Sequence, residues 1–300
     1  MTMWTAVPPN VPKTVAGTLW DAEVPTDEWR PTSPTRSLFI VDSQTEGNGV
    51  YSADFFGNQR AGSASSADAI VPLVLALFSI KSVVDVGCGV GGWLNAFERR
   101  GVADYVGLDG DYVPRDMLKI PSSRFQSTDL RRLTDIGRQF DLACSMEVAE
   151  HLPESCAEQF VAALVAAAPV VLFSAAIPLQ QGTDHINMQW QRYWSDLFAS
   201  KGYITLDCIR PIIHEDPRVE WWYRQNALVF CKPSHCPPGL SPVTGNYALN
   251  RIDPGLLHQI ANGPHGGKQA LTMLRRCLAI FRSMILDKIL PRALRPGARR

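Results

Sequence analysis

Glycines at 87, 89 and 91, an acid two residues ahead of them at Asp85 and a second acid at Asp109 have the residue types and spacing of a nucleotide cradle. Residues 82–86 (S-V-V-D-V) are rich in valine, as a strand covered on both faces requires. The glycines permit a tight backbone bend, and a helix starting near Trp93 would direct its first N–H groups at whatever lies over that bend. Gly87, Gly89 and Gly92 also satisfy G-x-G-x-x-G, the pyrophosphate fingerprint of nicotinamide and flavin enzymes. Asp85 favours a different ligand. A carboxylate gains nothing beside a phosphate, whereas it attracts the sulfonium and α-ammonium of S-adenosylmethionine.

A second group of reactive side chains lies further on. His185 sits in the segment 177–188 (I-P-L-Q-Q-G-T-D-H-I-N-M), after an apolar run at 170–174, and His151 closes the segment E-V-A-E-H with Glu147 and Glu150. Imidazole titrates near neutrality and can take a proton from a hydroxyl nucleophile. His185 is the preferred base, with Asp184 as the neighbour that would orient it and raise its pKa. His151 is its competitor, with a structural helix-start role as the alternative, and a reaction without a side-chain base is the third possibility.

The segment D-V-G-C-G-V-G-G (85–92) resembles the first motif of class I S-adenosylmethionine-dependent methyltransferases. Further segments follow in that family's order. Y-V-G-L-D (105–109) ends in an acid 24 residues after Asp85, where a carboxylate takes ribose hydroxyls. F-Q-S-T-D-L (125–130) resembles the third strand, with Asp129 toward the adenine amino group. F-D-L-A-C-S-M-E-V-A-E-H (140–151) resembles the fourth strand and turn of the branch containing small-molecule O-methyltransferases of quinone biosynthesis. The resemblance spans about 66–232. It implies cofactor contacts from Asp85, Gly87, Cys88, Gly89, Gly91, Asp109, Gly110, Asp129, Leu130, Met146 (near the methionyl sulfur) and Glu147, and a small-molecule or sugar acceptor.

The elements that must position these residues alternate. Strands are expected at 82–86, 105–108, near 125, 141–145, 170–174, 204–210 and 227–232, with helices at 66–78 (N-capped by Ser66), 93–100, 154–168 and 189–201. Alternation of this kind predicts an α/β, Rossmann-like, doubly wound and mostly parallel sheet. The family resemblance adds seven strands, the last antiparallel and joined to its partner without an intervening helix.

Trp190, Tyr193 and Trp194, with Trp221, Trp222 and Tyr223, read either as packing or as flat walls for a sugar or aromatic acceptor beside Arg224, Gln225 and Asn226. Residues 51–60 (Y-S-A-D-F-F-G-N-Q-R) read either as a cofactor lid, with Tyr51, Phe55 or Phe56 over the sulfonium and Arg60 on the methionine carboxylate, or as a surface loop.

Composition bounds the rest. A chain 46% apolar can bury one domain of about 200 residues with appendages. We divide it into a Pro-rich arm (1–37), a lid and leading helix (38–80, with a short strand at 38–41), the cofactor-binding domain (81–233), a linker (234–269) and a basic amphipathic helix and tail (270–300). From 268 onward nine basic residues face Asp287 alone, leaving the remainder at net minus eight, which argues against a nucleic-acid-binding face. The terminal helix packs on its own domain, lies on an anionic membrane surface or pairs with a second subunit. Seven scattered cysteines suit a reducing compartment, and no metal-ligand spacing is found; Cys231, His235 and Cys236 come nearest and do not make a zinc site. No signal peptide or long apolar run is present, so the expected location is cytoplasmic or peripheral at the inner membrane face. Two other enzyme readings stand beside hydroxyl methylation: N- or C-methylation on the same fold, and NAD(P)-dependent oxidoreduction. A non-catalytic interaction subunit is the reading outside enzymes.

Overall fold

In a computed structural model of the protein, residues 53–243 and 245–262 are described. The arm at 1–37 with Trp4, Trp20 and Trp29, the strand expected at 38–41, Tyr51 and the basic helix at 270–290 with Cys277 lie outside the described residues. So do the side chains of Phe55, Phe56 and Arg60, although the backbone there belongs to a helix rather than to a loop.

The chain runs through α1 (Ala53–Leu77), β1 (Ser82–Val86), α2 (Gly92–Glu98), β2 (Asp104–Asp109), β3 (Phe125–Ser127) and β4 (Leu142–Met146). It continues with α3 (Ala157–Ala167), β5 (Val170–Ser174), α4 (Gln191–Ser200), β6 (Ile204–Leu206), α5 (Arg210–Ile213), α6 (Trp221–Asn226), β7 (Leu228–Cys231), α7 (Asn246–Leu249) and α8 (Pro254–Asn262). The strands form a seven-stranded sheet in the order β3-β2-β1-β4-β5-β7-β6, parallel except for β7, which runs against both β5 and β6. The expected sheet is therefore present. Two short helices, α5 and α6, interrupt the β6–β7 connection that was expected to lack one.

Neighbouring residues on a strand point to opposite faces, and both faces are dry. Val83, Leu142, Leu172 and Val229 join one apolar cluster with α1 and α2, while Val84, Ala143, Val171 and Phe230 join the other with α3 and α4. This burial on both faces is why β1, β4 and β5 are so apolar. Phe198 of α4 stacks on Phe230 of β7 with ring centroids 3.9 Å apart.

Ser66 does not cap a helix. It lies inside α1, where its hydroxyl donates back to the Gly62 carbonyl (2.7 Å) and accepts from the Glu220 N–H (3.0 Å). Pro72 also lies within α1 and cannot donate to the carbonyl four residues back, at Asp68. Arg100 supplies the missing donor, its guanidinium meeting the Asp68 carbonyl at 2.7 Å and the Asp68 carboxylate at 3.2 Å. Arg100→Ala should therefore cost about 1–2 kcal/mol of stability, read as a lower denaturant midpoint at constant slope; an unchanged midpoint would contradict this role.

Residues 245–262, placed in a linker by sequence, carry α7 and α8; Leu249 and Leu256 are buried, and Asp253 receives the Arg224 guanidinium at 3.3 Å. No helix among the described residues is long and apolar enough to cross a membrane.

Candidate active site

Sheet order reverses direction between β1 and β4, and in an open α/β sheet a crevice forms at the carboxyl ends of the strands at such a point. A cavity of about 790 Å³ lies there. Its floor is the turn after β1. Gly87, at φ +84°, donates to the Leu108 carbonyl at 2.8 Å, and a Cβ on it would stand 2.3 Å from a Val148 methyl. Gly89 is also left-handed, yet a Cβ there would meet nothing within 4 Å, because it faces the cavity. Gly87, Cys88 and Gly89 line the space; Gly91 does not, and instead caps α2 at φ +82°.

Asp109 and Gly110, at the end of β2, line the next wall. The Asp109 carboxylate accepts from the N–H groups of Gly89 (2.6 Å) and Gly110 (2.7 Å) and from the Tyr112 hydroxyl. Burial nevertheless raises its pKa, against those three donors. Asp129 and Leu130 line the far end. There the Arg131 guanidinium grips the Asp129 carboxylate at 2.8 and 3.0 Å and holds its pKa below the ordinary value.

Asp85 is placed differently from the sequence expectation, since it is buried under the turn and does not line the cavity. One of its oxygens has no hydrogen-bond partner. Burial, reinforced by Asp109, pushes its pKa up to about 8, against a donated bond from the Cys144 thiol. Folded protein therefore keeps a proton that the unfolded chain releases near pH 3.8. This group favours the fold fully only below that pH, and its contribution is lost progressively as pH rises toward 8. Asp85→Asn should flatten that dependence and raise the melting temperature at pH 8 by several degrees relative to wild type, with little gain near pH 4. Equal gains at both pH values would contradict it.

Met146, the last residue of β4, and Glu147 after it lie in the cavity wall. Glu147 adopts φ +57°, and Leu179 (+83°) and Asp184 (+55°) are the other non-glycine residues in the left-handed region among the described residues. Of these, Glu147 lines the cavity, while Leu179 and Asp184 lie in the loop after β5 beside its lining residues Gln180 and His185. The Glu147 carboxylate is held by the side-chain amides of Gln180 (2.7 Å) and Asn226 (3.2 Å), and burial pushes its pKa up to about 7. Glu150 is fully buried, and burial together with the Glu147 charge raises its pKa well above the ordinary value.

The two histidines come together across this wall, ring centroids 4.9 Å apart and nearly perpendicular. The loop bearing His185 is fixed to the turn bearing His151 by the N–H groups of Ile186 and Asn187, both donating to the Glu150 carbonyl at 2.9 Å. His185 Nδ1 meets the Gln180 carbonyl at 2.9 Å. That carbonyl can only accept, so the proton sits on Nδ1 and Nε2 carries the lone pair. The expected orienting and raising effect of Asp184 is outweighed: Gln180 orients the ring, and burial lowers the His185 pKa despite Asp184. Burial, with His185 alongside, pulls His151 down to about 4. Both imidazoles are thus neutral at neutral pH.

The aromatic residues divide. Trp221, Trp222 and Tyr223 line the cavity. Trp190, Tyr193 and Trp194 do not; Trp194 is buried against Phe173, with centroids 5.2 Å apart. Arg224, Gln225 and Asn226 are not offered to an acceptor either. Arg224 pairs with Asp253, while Gln225 and Asn226 are buried and donate to the Gln180 side-chain oxygen at 3.0 and 2.9 Å. Sequence reasoning missed Gln180 as the hub of this network, because a lone glutamine in a loop carries no periodic or spacing signal.

Against known proteins, the profile of a family described as "Methyltransferase domain" matches residues 59–210. No curated protein matches the sequence. Solved structures of similar fold include DesVI of Streptomyces venezuelae, at 18% identity over 63% of this chain and all of that one, TM-score 0.46. The sugar N-methyltransferase KedS8 from Streptoalloteichus is similar at 14% over 66% and 99%, TM-score 0.49. CalS10 of Micromonospora echinaspora, an amino pentose methyltransferase solved with S-adenosylmethionine bound, is similar at 20% over 64% and 100%, TM-score 0.45.

Proposed function

The chain belongs to the methyltransferase-domain family over more than half its length and is a S-adenosylmethionine-dependent methyltransferase; from that premise we propose that it methylates a hydroxyl of a small molecule or sugar, with His185 facing that hydroxyl. The cavity suits the cofactor: Gly89 leaves room for close approach, and the Asp109 carboxylate lines the next wall. We assign Asp109 to the ribose hydroxyls, Asp129 and Leu130 to the adenine, the turn 87–89 to the methionyl end, Met146 to the neighbourhood of the sulfur, and Glu147 to the cofactor wall beside it. When bound, S-adenosylmethionine supplies a methyl group on a positively charged sulfur.

His185 carries the acceptor side. A hydroxyl attacks poorly until its proton is removed, and a neutral imidazole with its lone pair on Nε2 can remove it. The fixed tautomer, set by the bond from Nδ1 to the Gln180 carbonyl, is the observation on which this reading rests. Trp221, Trp222 and Tyr223 provide the flat apolar surface that a sugar ring or aromatic acceptor would cover. Acceptor panels incubated with isotopically labelled methyl donor, with the methyl located by mass spectrometry, should give an O-methyl product. Label appearing only on nitrogen or carbon would replace this reading with its rival. We also place the cofactor-binding domain at 81–233, preceded by the lid and leading helix (38–80) and followed, after the segment 234–269, by the basic amphipathic helix and tail (270–300).

A further inference from the structure

The match to the methyltransferase-domain family ends at residue 210, yet the cavity does not. Trp221, Trp222 and Tyr223 of α6 and Gln259 of α8 complete its lining from beyond that point. We propose that α8 is a clasp on the acceptor side of the cavity, with Gln259 fastening the loop that carries His185 and meeting a hydroxyl of an uncharged acceptor ring held against Trp221 and Trp222. This use of the segment rests on the acceptor position proposed above.

The fastening is specific. One side-chain amide makes two bonds to one backbone unit: the Gln181 N–H donates to Gln259 Oε1 at 3.2 Å, and Gln259 Nε2 donates to the Gln181 carbonyl at 3.0 Å. An amide carries two N–H groups and two lone pairs, so one of each is left over among the described residues. Gln259 is half-buried and belongs to the cavity wall. A hydroxyl, which both donates and accepts, can meet either leftover group.

The clasp is itself anchored on α6. Asp253, just before α8, takes the Arg224 guanidinium at 3.3 Å, accepts from the Gly255 N–H at 2.8 Å and donates its own N–H to the Gln225 side chain at 2.9 Å. Leu256 is buried, and the Gly255 backbone lies so close to Trp221 that a Cβ there would stand 2.4 Å from the indole. Glycine permits that approach. One short helix thus sets both an acceptor wall, Trp221, and the loop in which the Gln180 carbonyl orients His185.

The chemistry of the lining points to the class of acceptor. Gln181, Thr183 and Gln259 are polar and uncharged, and the Trp221 and Trp222 rings beside them have centroids 5.6 Å apart. Indole faces with neutral hydrogen-bonding groups suit a hydroxylated ring without charge.

The test is a saturation-transfer NMR titration of full-length protein loaded with S-adenosylhomocysteine. The probes are p-nitrophenyl β-D-glucoside, an uncharged aryl sugar, and p-nitrophenyl β-D-glucuronide, its anionic counterpart. The glucoside should bind at about 1 mM and the glucuronide about 10-fold more weakly. Gln259→Ala should weaken the glucoside about 10-fold while S-adenosylhomocysteine affinity stays within about twofold and the melting temperature within about 2 °C. Hydrogen exchange in the peptide spanning Gln181, read by mass spectrometry, should quicken about 10-fold in the same variant. Gly255→Ala keeps Gln259 but must displace α8 or Trp221, so it should weaken the glucoside equally. Leu257→Ala, exposed on the same helix, should change nothing. Glucoside binding undiminished in both clasp variants, no glucoside binding at about 20 mM, glucuronide binding as tight as glucoside, or unchanged exchange at Gln181 would overturn the clasp. Because binding rather than methyl transfer is read, that failure leaves the hydroxyl reading standing, whereas a nitrogen-methylated product would sink the hydroxyl reading and leave the clasp in place.

Discussion

His185→Ala should lower turnover by about 10²- to 10³-fold while the dissociation constant for S-adenosylhomocysteine stays within about twofold of wild type. The split follows from position. His185 is tied to the loop after β5 and faces His151, whereas Gly87, Cys88, Gly89, Asp109 and Gly110 occupy the turn after β1 and the end of β2. As the base, the ring acts on the acceptor, so kcat falls and cofactor affinity does not. Unchanged kcat would remove His185 from the chemistry. A loss of cofactor affinity equal to the loss of turnover would mean that its loop holds the cofactor instead.

Gly87→Ala should have the opposite signature. Its φ of +84° strains any side chain, and the added methyl would stand 2.3 Å from Val148. Either Val148 or the turn must move, at about 2–4 kcal/mol. Because the same turn is the cavity floor, the affinity for S-adenosylhomocysteine should fall by about 10²-fold or more together with the melting temperature. A variant that kept both would show that the turn tolerates a side chain, and the cradle would lose its physical basis.

The succession of strands along the chain was legible because each of β1, β2, β4 and β5 is a short apolar run that carries or leads into a residue type with a chemical use: Asp85, Asp109, Met146 with Glu147, and the loop to His185. Periodicity could not reveal α5 and α6, of four and six residues, since neither spans two full turns. Ser66 looked like a cap because serine often begins helices, and only the contact with Glu220 shows why it sits inside one. The R-Q-N run at 224–226 was readable as surface chemistry by composition, yet tertiary packing turns all three inward to Gln180 and Asp253.

The site divides along the same line. Residues contiguous in sequence with the glycine turn were found from spacing, although Asp85 lies beneath the cavity rather than in its wall. The meeting of His151 with His185 was not legible, because 34 residues separate the histidines and only the pairing of β4 with β5 brings their following segments together.

Calorimetric titration of the full-length protein with S-adenosylhomocysteine and, separately, with NADH tests the central claim most directly. One site for S-adenosylhomocysteine at about micromolar affinity, with no heat from NADH, is the predicted result. Binding of NADH without S-adenosylhomocysteine would contradict it.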